Sequence, residues 1–108
     1  MSSFKDFKNL DIRLGKVLEY IPIPDSNSMI ELKVDVGDNQ PRTIITAIKK
    51  WYSAEDLLGE YVLVSLSIQL DNLKSEGFLF AIDADNSAVL LKPDKKYREK
   101  IKPGMKLA

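Results

Sequence analysis

Between residues 29 and 36 the chain alternates without a break: Ile30, Leu32, Val34 and Val36 fall on one side, Glu31, Lys33 and Asp35 on the other. Period-two alternation of this length predicts a strand with one face on a core and the other toward water. The flanking segments supply its partners. Residues 11–21 (DIRLGKVLEYI) alternate from Ile12 to Val17 and then become more apolar, a long strand with Gly15 where it would bend or bulge. Pro22, Pro24 and the turn residues 25–28 separate these two strands, and 37–41 make the hairpin connection to a β-branched third strand over 42–48.

The second half continues in the same style. Residues 53–59 (SAEDLLG) combine a capping-box variant with an apolar face and a closing glycine, predicting one short helix. Residues 61–68 read as a fourth strand, and 79–82 with 88–91 as a final pair around a tight turn at 83–87. Between them lies a polar corner whose large apolar residues are Leu70, Leu73 and Phe78, and a bound partner is expected beside it. Ser3 caps a short N-terminal helix with Phe4, Phe7 and Leu10 at spacing three, equally a lid on the core or a dimer contact. Three strands, a helix and two strands without βαβ alternation predict an all-β, five-stranded Greek-key OB-fold barrel. It forms a single domain over 1–108, with a short helix between strands three and four and a short N-terminal helix.

Composition narrows the chemistry. The 108 residues contain neither cysteine nor histidine, which removes disulfides, thiolate nucleophiles, and the commonest general base and metal ligand. No carboxylate sits in an apolar setting that would raise its pKa for acid–base work, and the five glycines are scattered rather than gathered into a phosphate loop. A non-enzymatic protein with no cofactor and no metal is expected. No apolar run approaches a membrane span, and the N-terminus lacks the layout of a signal peptide, so a cytoplasmic location is expected. The formal net charge is zero but unevenly placed: residues 92–108 carry seven basic side chains against Asp94 and Glu99. Such a run is most often a solvated face.

Several segments together resemble the tRNA-binding domain found at the ends of some aminoacyl-tRNA synthetases and as free-standing proteins. They are 11–17 (DIRLGKV), Pro24 and Asp25 followed by 32–37 (LKVDVG), 44–48 (IITAI), 52–59 (YSAEDLLG), 75–78 (SEGF) and 90–94 (LLKPD). The opening, with FKDF at 4–7 and LDIR at 10–13, is similar to the CsaA type, small free-standing members also described as export-related chaperones. The resemblance implies an OB-fold, a homodimer and tRNA as partner. It also marks departures. The family's basic loop of the NLxPRK kind corresponds here to 69–74, about three residues shorter and holding one cation, Lys74, beside Asp71. Ser67 stands at the asparagine position, SEGF replaces the family's SxGM segment, and Ala47 replaces the glycine of its SGI segment.

The sequence therefore points to a homodimeric module that contacts tRNA or other structured RNA. Lys49, Lys50 and Arg42 are expected at phosphates, with the tail lysines extending the track. Trp51 or Phe78 would stack on bases, as OB-folds do beside a cationic groove. Ser67, Lys74, Ser75, Glu76 and Gly77 complete the corner, the serines and Glu76 meeting base edges or sugar. Tyr52 reads as core, whereas Trp51 fits either core packing or an exposed platform. The alternative is a CsaA-like chaperone binding unfolded or export-bound polypeptide in an apolar dimer groove lined by Phe4, Phe7, Trp51 and Phe78.

Overall fold

The computed structural model describes residues 4–67 and 74–107, with Phe4 described by its backbone only. Strands β1 (Ile12–Pro22), β2 (Ile30–Asp35), β3 (Arg42–Thr46), β4 (Tyr61–Ser65) and β5 (Phe78–Leu79) form one antiparallel sheet in the order β3-β2-β1-β4-β5. Strands β6 (Ala81–Ala84) and β7 (Ser87–Leu90) form a hairpin. Helix α1 (Phe4–Lys8) precedes β1, and α2 (Ala54–Leu57) lies between β3 and β4. The five strands curl into a nearly closed barrel, as the order of the segments predicts.

β1 is the spine. Its first half pairs with β4 (Ile12 opposite Ser65, Lys16 opposite Tyr61), and its second half pairs with β2 (Lys16 opposite Asp35, Pro22 opposite Ile30). Handing one strand between two partners requires strong coiling, and a bulge between Val17 and Glu19 supplies it. The bend thus falls two residues beyond Gly15, which has a different task. A Cβ there would lie 2.4 Å from Val34 Cγ1 and 3.0 Å from Val64 Cγ2, so glycine lets β2 and β4 side chains meet over β1.

The alternation of β2 is realised residue by residue: Ile30, Leu32, Val34 and Val36 are wholly buried, while Glu31, Lys33 and Asp35 are half-exposed. With Val17, Ile44, Leu57, Val62 and Val64 they form the barrel core. Leu57 is the plug from α2. That helix begins at Ser53, whose N–H donates to Asp56 Oδ2 (2.8 Å), and ends at Gly59 with φ +79°, a backbone that glycine adopts readily.

Three expectations need correction. The fourth strand stops at Ser65; Leu66 and Ser67 lie in a bend, and Ile68 lies outside the described residues. The run 79–82 is not one strand. At Phe80 the chain leaves β4 for β7 through three backbone bonds: Phe80 N–H to Leu63 O (3.2 Å), Leu63 N–H to Leu91 O (3.3 Å) and Leu91 N–H to Phe80 O (3.0 Å). The predicted turn holds, with Asp85 and Asn86 both left-handed as a two-residue hairpin requires. Finally, the basic tail is built in rather than merely solvated. Lys95–Lys100 forms a 3₁₀ helix, and the chain beyond it takes the edge of β1 that β2 leaves free. Gly104 N–H donates to Leu14 O, Leu14 N–H to Met105 O (both 2.8 Å), and Leu107 N–H to Ile12 O (3.0 Å).

Candidate functional site

The barrel closes where β3 meets the segment before β5. Thr43 N–H donates to Glu76 Oε1 and Glu76 N–H donates to Thr43 O, each at 2.8 Å. Ile45 N–H donates to Ser75 Oγ (2.9 Å), and that hydroxyl donates to Gly77 O (2.8 Å). Ser75 is buried. Gly77 is confined too, since a Cβ would come within 2.8 Å of Ile44 Cδ1 and 3.1 Å of Ser65 O. The Ser75, Glu76 and Gly77 group is therefore a seam. Its polar atoms replace ladder bonds that two short strands could not make directly, and the Ser75 hydroxyl, expected at base edges or sugar, faces inward.

Past Ile45 the seam ends and β3 diverges from β5. The gap is an apolar hollow of about 420 Å³ lined by Met29, Ile45, Ala47, Ile48, Phe78 and Ala81, among others. A second hollow, about 270 Å³, shares Ala81 and continues past Ile82 and Ala88 to Trp51. The two hollows meet at Ala81 and are together called the trough; Phe78 lines the first and Trp51 the second. Phe78 is 42% exposed and sits edge-on to Phe80 at 6.1 Å; Trp51 is 37% exposed, so part of its ring faces water and the rest is packed.

The backbone after β3 explains how Trp51 is presented. Trp51 N–H (3.0 Å) and Tyr52 N–H (3.1 Å) both donate to Ile48 O, a tight turn that sends consecutive side chains in opposite directions. Tyr52 packs against the core, with its hydroxyl accepting from Leu90 N–H (3.0 Å) and its carbonyl accepting from Tyr20 Oη (2.8 Å). The two lysines differ as well. Lys50 is exposed, with its Nζ 5.9 Å from the Trp51 ring centroid. Lys49 is half-buried and donates through Nζ to Ser26 O (3.0 Å), contrary to the expectation of two free cations.

The remaining expected residues lie apart from the trough. Ser67 accepts from Asp11 N–H through Oγ (2.6 Å), tying β4's end to β1's start. Lys74 is exposed with φ +56°, beside a loop (including Leu70, Asp71 and Leu73) that lies outside the described residues. Arg42 donates to Asp38 Oδ2 (3.0 Å) at the opposite end of β3. Leu10 is 49% exposed and Phe7 half-buried; the Phe4 side chain is outside the described residues.

Arg42 belongs to a network that sequence reading missed. Arg13 donates to both Asp11 carboxylate oxygens (2.8 and 2.9 Å), to Asp38 Oδ1 (2.8 Å) and to Val36 O (3.0 Å). Hydrogen bonds from Arg13, joined at Asp38 by one from Arg42, hold the carboxyls of Asp11 and Asp38 below the usual carboxylate range. Four acceptor atoms converge on one guanidinium, which makes the cluster a clasp between β1 and the β2–β3 hairpin. The Asp11–Arg13 spacing was its visible signal; Asp38, 25 positions on, had none. Among the described residues no group of three or more acidic side chains is placed to hold a metal ion.

Comparison with known proteins gives this geometry a context. The family model described as "Putative tRNA binding domain" matches residues 12–104. The methionine–tRNA ligase of Methanosarcina acetivorans is 36% identical over 109 residues, 96% of this chain and 15% of that enzyme. That of Methanothrix thermoacetophila is 41% identical over 95 residues, 85% of this chain and 14% of the enzyme. The chain thus spans a small part, 14–15%, of the length of these curated relatives. The crystal structure of chaperone CsaA from Bacillus anthracis superposes with a TM-score of 0.78 at 27% identity, covering 100% of this chain and 99% of the other. The MetRS-related protein of Pyrococcus horikoshii reaches 0.82 at 21% identity, covering 100% and 98%, a likeness in fold alone.

Proposed function

The chain belongs to the tRNA-binding domain family, and from that premise we propose a non-catalytic module that binds structured RNA, tRNA foremost, in the trough between Phe78 and Trp51. The observation that carries this reading is the pair of exposed aromatics lining a trough with Lys50 on its rim. Unstacked bases of a loop or corner lie on such rings through their faces, whatever their identity, while the ammonium meets a phosphate. The seam of Ser75, Glu76 and Gly77 holds Phe78 at the correct height rather than touching RNA itself. Lys49 adds positive potential from its fixed position, while Ser67, Lys74 and Arg42, which lie apart from the trough, take no part in it. The module acts in the cytoplasm as a pair of copies joined through the α1 end, where Leu10 is exposed, an arrangement checked by sedimentation.

The apolar lining favours a second reading. Met29, Ile45, Phe78 and Ile82 would equally receive an extended apolar polypeptide, and the likeness to chaperone CsaA makes that the rival. Salt separates the two. Binding of fluorescent bulk tRNA should weaken steeply with KCl, whereas binding of an unfolded polypeptide should hold or strengthen. Trp51→Ala should weaken tRNA binding roughly 5- to 100-fold, the worth of one stacked base, at an unchanged melting temperature. A flat plot of log affinity against log salt for the wild type, or undiminished binding by folded Trp51→Ala, would remove this site. Lys50→Ala is the clean test of the rim charge, because truncating Lys49 also breaks its bond to Ser26.

A further inference from the structure

The basic tail holds more charge than its attachment to the barrel uses. Arg98 is the anchor: it donates to Gly59 O (2.8 Å), lies 5.4 Å from the Tyr61 ring centroid and, with Lys92, pairs with Glu60. Asp94 caps the 3₁₀ helix by accepting from Lys96 N–H (2.9 Å), and Ile101 O accepts from Tyr61 Oη. What remains faces outward. Lys96, Lys100 and Lys102 are exposed, and among the described residues none of their ammoniums has a carboxylate within 4.0 Å. Tyr97, 47% exposed, holds two of them, with Lys96 Nζ at 5.4 Å and Lys100 Nζ at 5.6 Å from its ring centroid. Two like charges are therefore kept near each other on one ring of an ordered, anchored helix. A merely solvated run would let them separate.

The helix follows the strand whose first residues, Ser87 and Ala88, line the Trp51 hollow. Ala88 lines the same hollow as Trp51, Leu90 N–H donates to the Tyr52 hydroxyl, and Lys92 Nζ lies 5.9 Å from the Tyr52 ring. Lys95 begins the helix seven residues after Ala88, a chain reach of at most about 25 Å. We propose that the Lys96, Tyr97, Lys100 and Lys102 face is a second contact surface, gripping the phosphate backbone of the same RNA whose unstacked bases occupy the trough. This rests on the RNA-binding reading above and adds to it a division of labour: aromatics in the trough, charge on the helix. It also supplies positive charge that the corner at 69–74, with its single cation, lacks.

The test compares the full chain with the triple variant Lys96→Gln, Lys100→Gln, Lys102→Gln, using fluorescent bulk tRNA from 50 to 300 mM KCl. Each lost phosphate contact should reduce the slope of log affinity against log salt by about 0.7–0.9, so the variant's slope should be shallower by about 2. The melting temperature should change little, because among the described residues none of the three ammoniums has an ion pair to lose and the contacts of Lys96 and Lys100 with the Tyr97 ring are exposed. A wild-type slope in a variant that still binds tRNA overturns this inference and leaves the trough standing. A wild type that retains no tRNA at any salt overturns both. Phosphatidylserine vesicles captured by the wild type and not by the variant, with the tRNA slope unchanged, would overturn it in favour of a lipid surface.

Discussion

Replacing Ser75 with alanine separates a stitching role from a recognition role. The hydroxyl is 3% exposed, accepts from Ile45 N–H and donates to Gly77 O. Ser75→Ala removes both bonds and takes from the Ile45 amide its partner in the seam, while creating almost no cavity. A stranded buried donor costs about 1–3 kcal/mol and a lost neutral hydrogen bond about 1, so the sum is about 2–4 kcal/mol. With an unfolding entropy of roughly 2.1 cal/mol/K per residue, a chain of this length should lose about 9–18 °C in melting temperature. Calorimetry and urea unfolding would measure the loss, with the urea slope unchanged. At 10 °C, where the variant remains folded, its tRNA affinity should stay within about twofold of the wild type, since the removed atom faces the core. A fall of less than about 3 °C together with a large loss of affinity would refute the reasoning and return Ser75 to the RNA surface.

Two further outcomes follow from packing and charge. Gly15→Ala should lower the urea midpoint by an amount equivalent to about 1–3 kcal/mol, because the new methyl overlaps Val34 Cγ1 at 2.4 Å; an unchanged midpoint would show that β2 can yield there. Arg13→Gln should destabilise the protein most at neutral pH. Arg13 depresses the carboxyls of Asp11 and Asp38, so its stabilisation is complete above the unfolded pKa near 3.9 and fades as pH falls through the folded values. The difference between wild-type and variant urea midpoints should therefore shrink from pH 7 to pH 3. A constant difference would mean that the clasp acts through packing rather than charge.

The legible and illegible parts of this protein divide along the range of the interactions concerned. β2 could be read to the residue because its alternation is a local consequence of having one wet and one dry face. The hairpin at Asp85 and Asn86, the start of α2 at Ser53 and its end at Gly59 were likewise visible, each set by side chains within a few positions. Phe78 and the two-lysine, two-aromatic run at 49–52 could be singled out by type. Which of those side chains faces water could not. Lys49 is tied down by Ser26 because the turn at Ile48 brings the β1–β2 connection beneath it, 23 positions away. Ser75 and Glu76 read as polar corner residues, yet they substitute for ladder bonds to a strand some 30 positions earlier.

The alternating segments, the turn residues, the missing histidine and cysteine and the polarised charge determined an antiparallel barrel with no thiol or imidazole chemistry. Those features are one-dimensional, each acting over a few residues or over bulk composition. Closure decided the rest. Only when β3 meets the Ser75 seam and parts from β5 after Ile45 does a trough exist for Phe78 and Trp51 to share. Only when Gly104 packs against Gly37, its absent Cβ leaving room for Gly37 Cα at 2.8 Å, is the basic tail fixed to the barrel. Both are contacts between distant segments, whose energies depend on shape and burial that no local pattern of residues encodes.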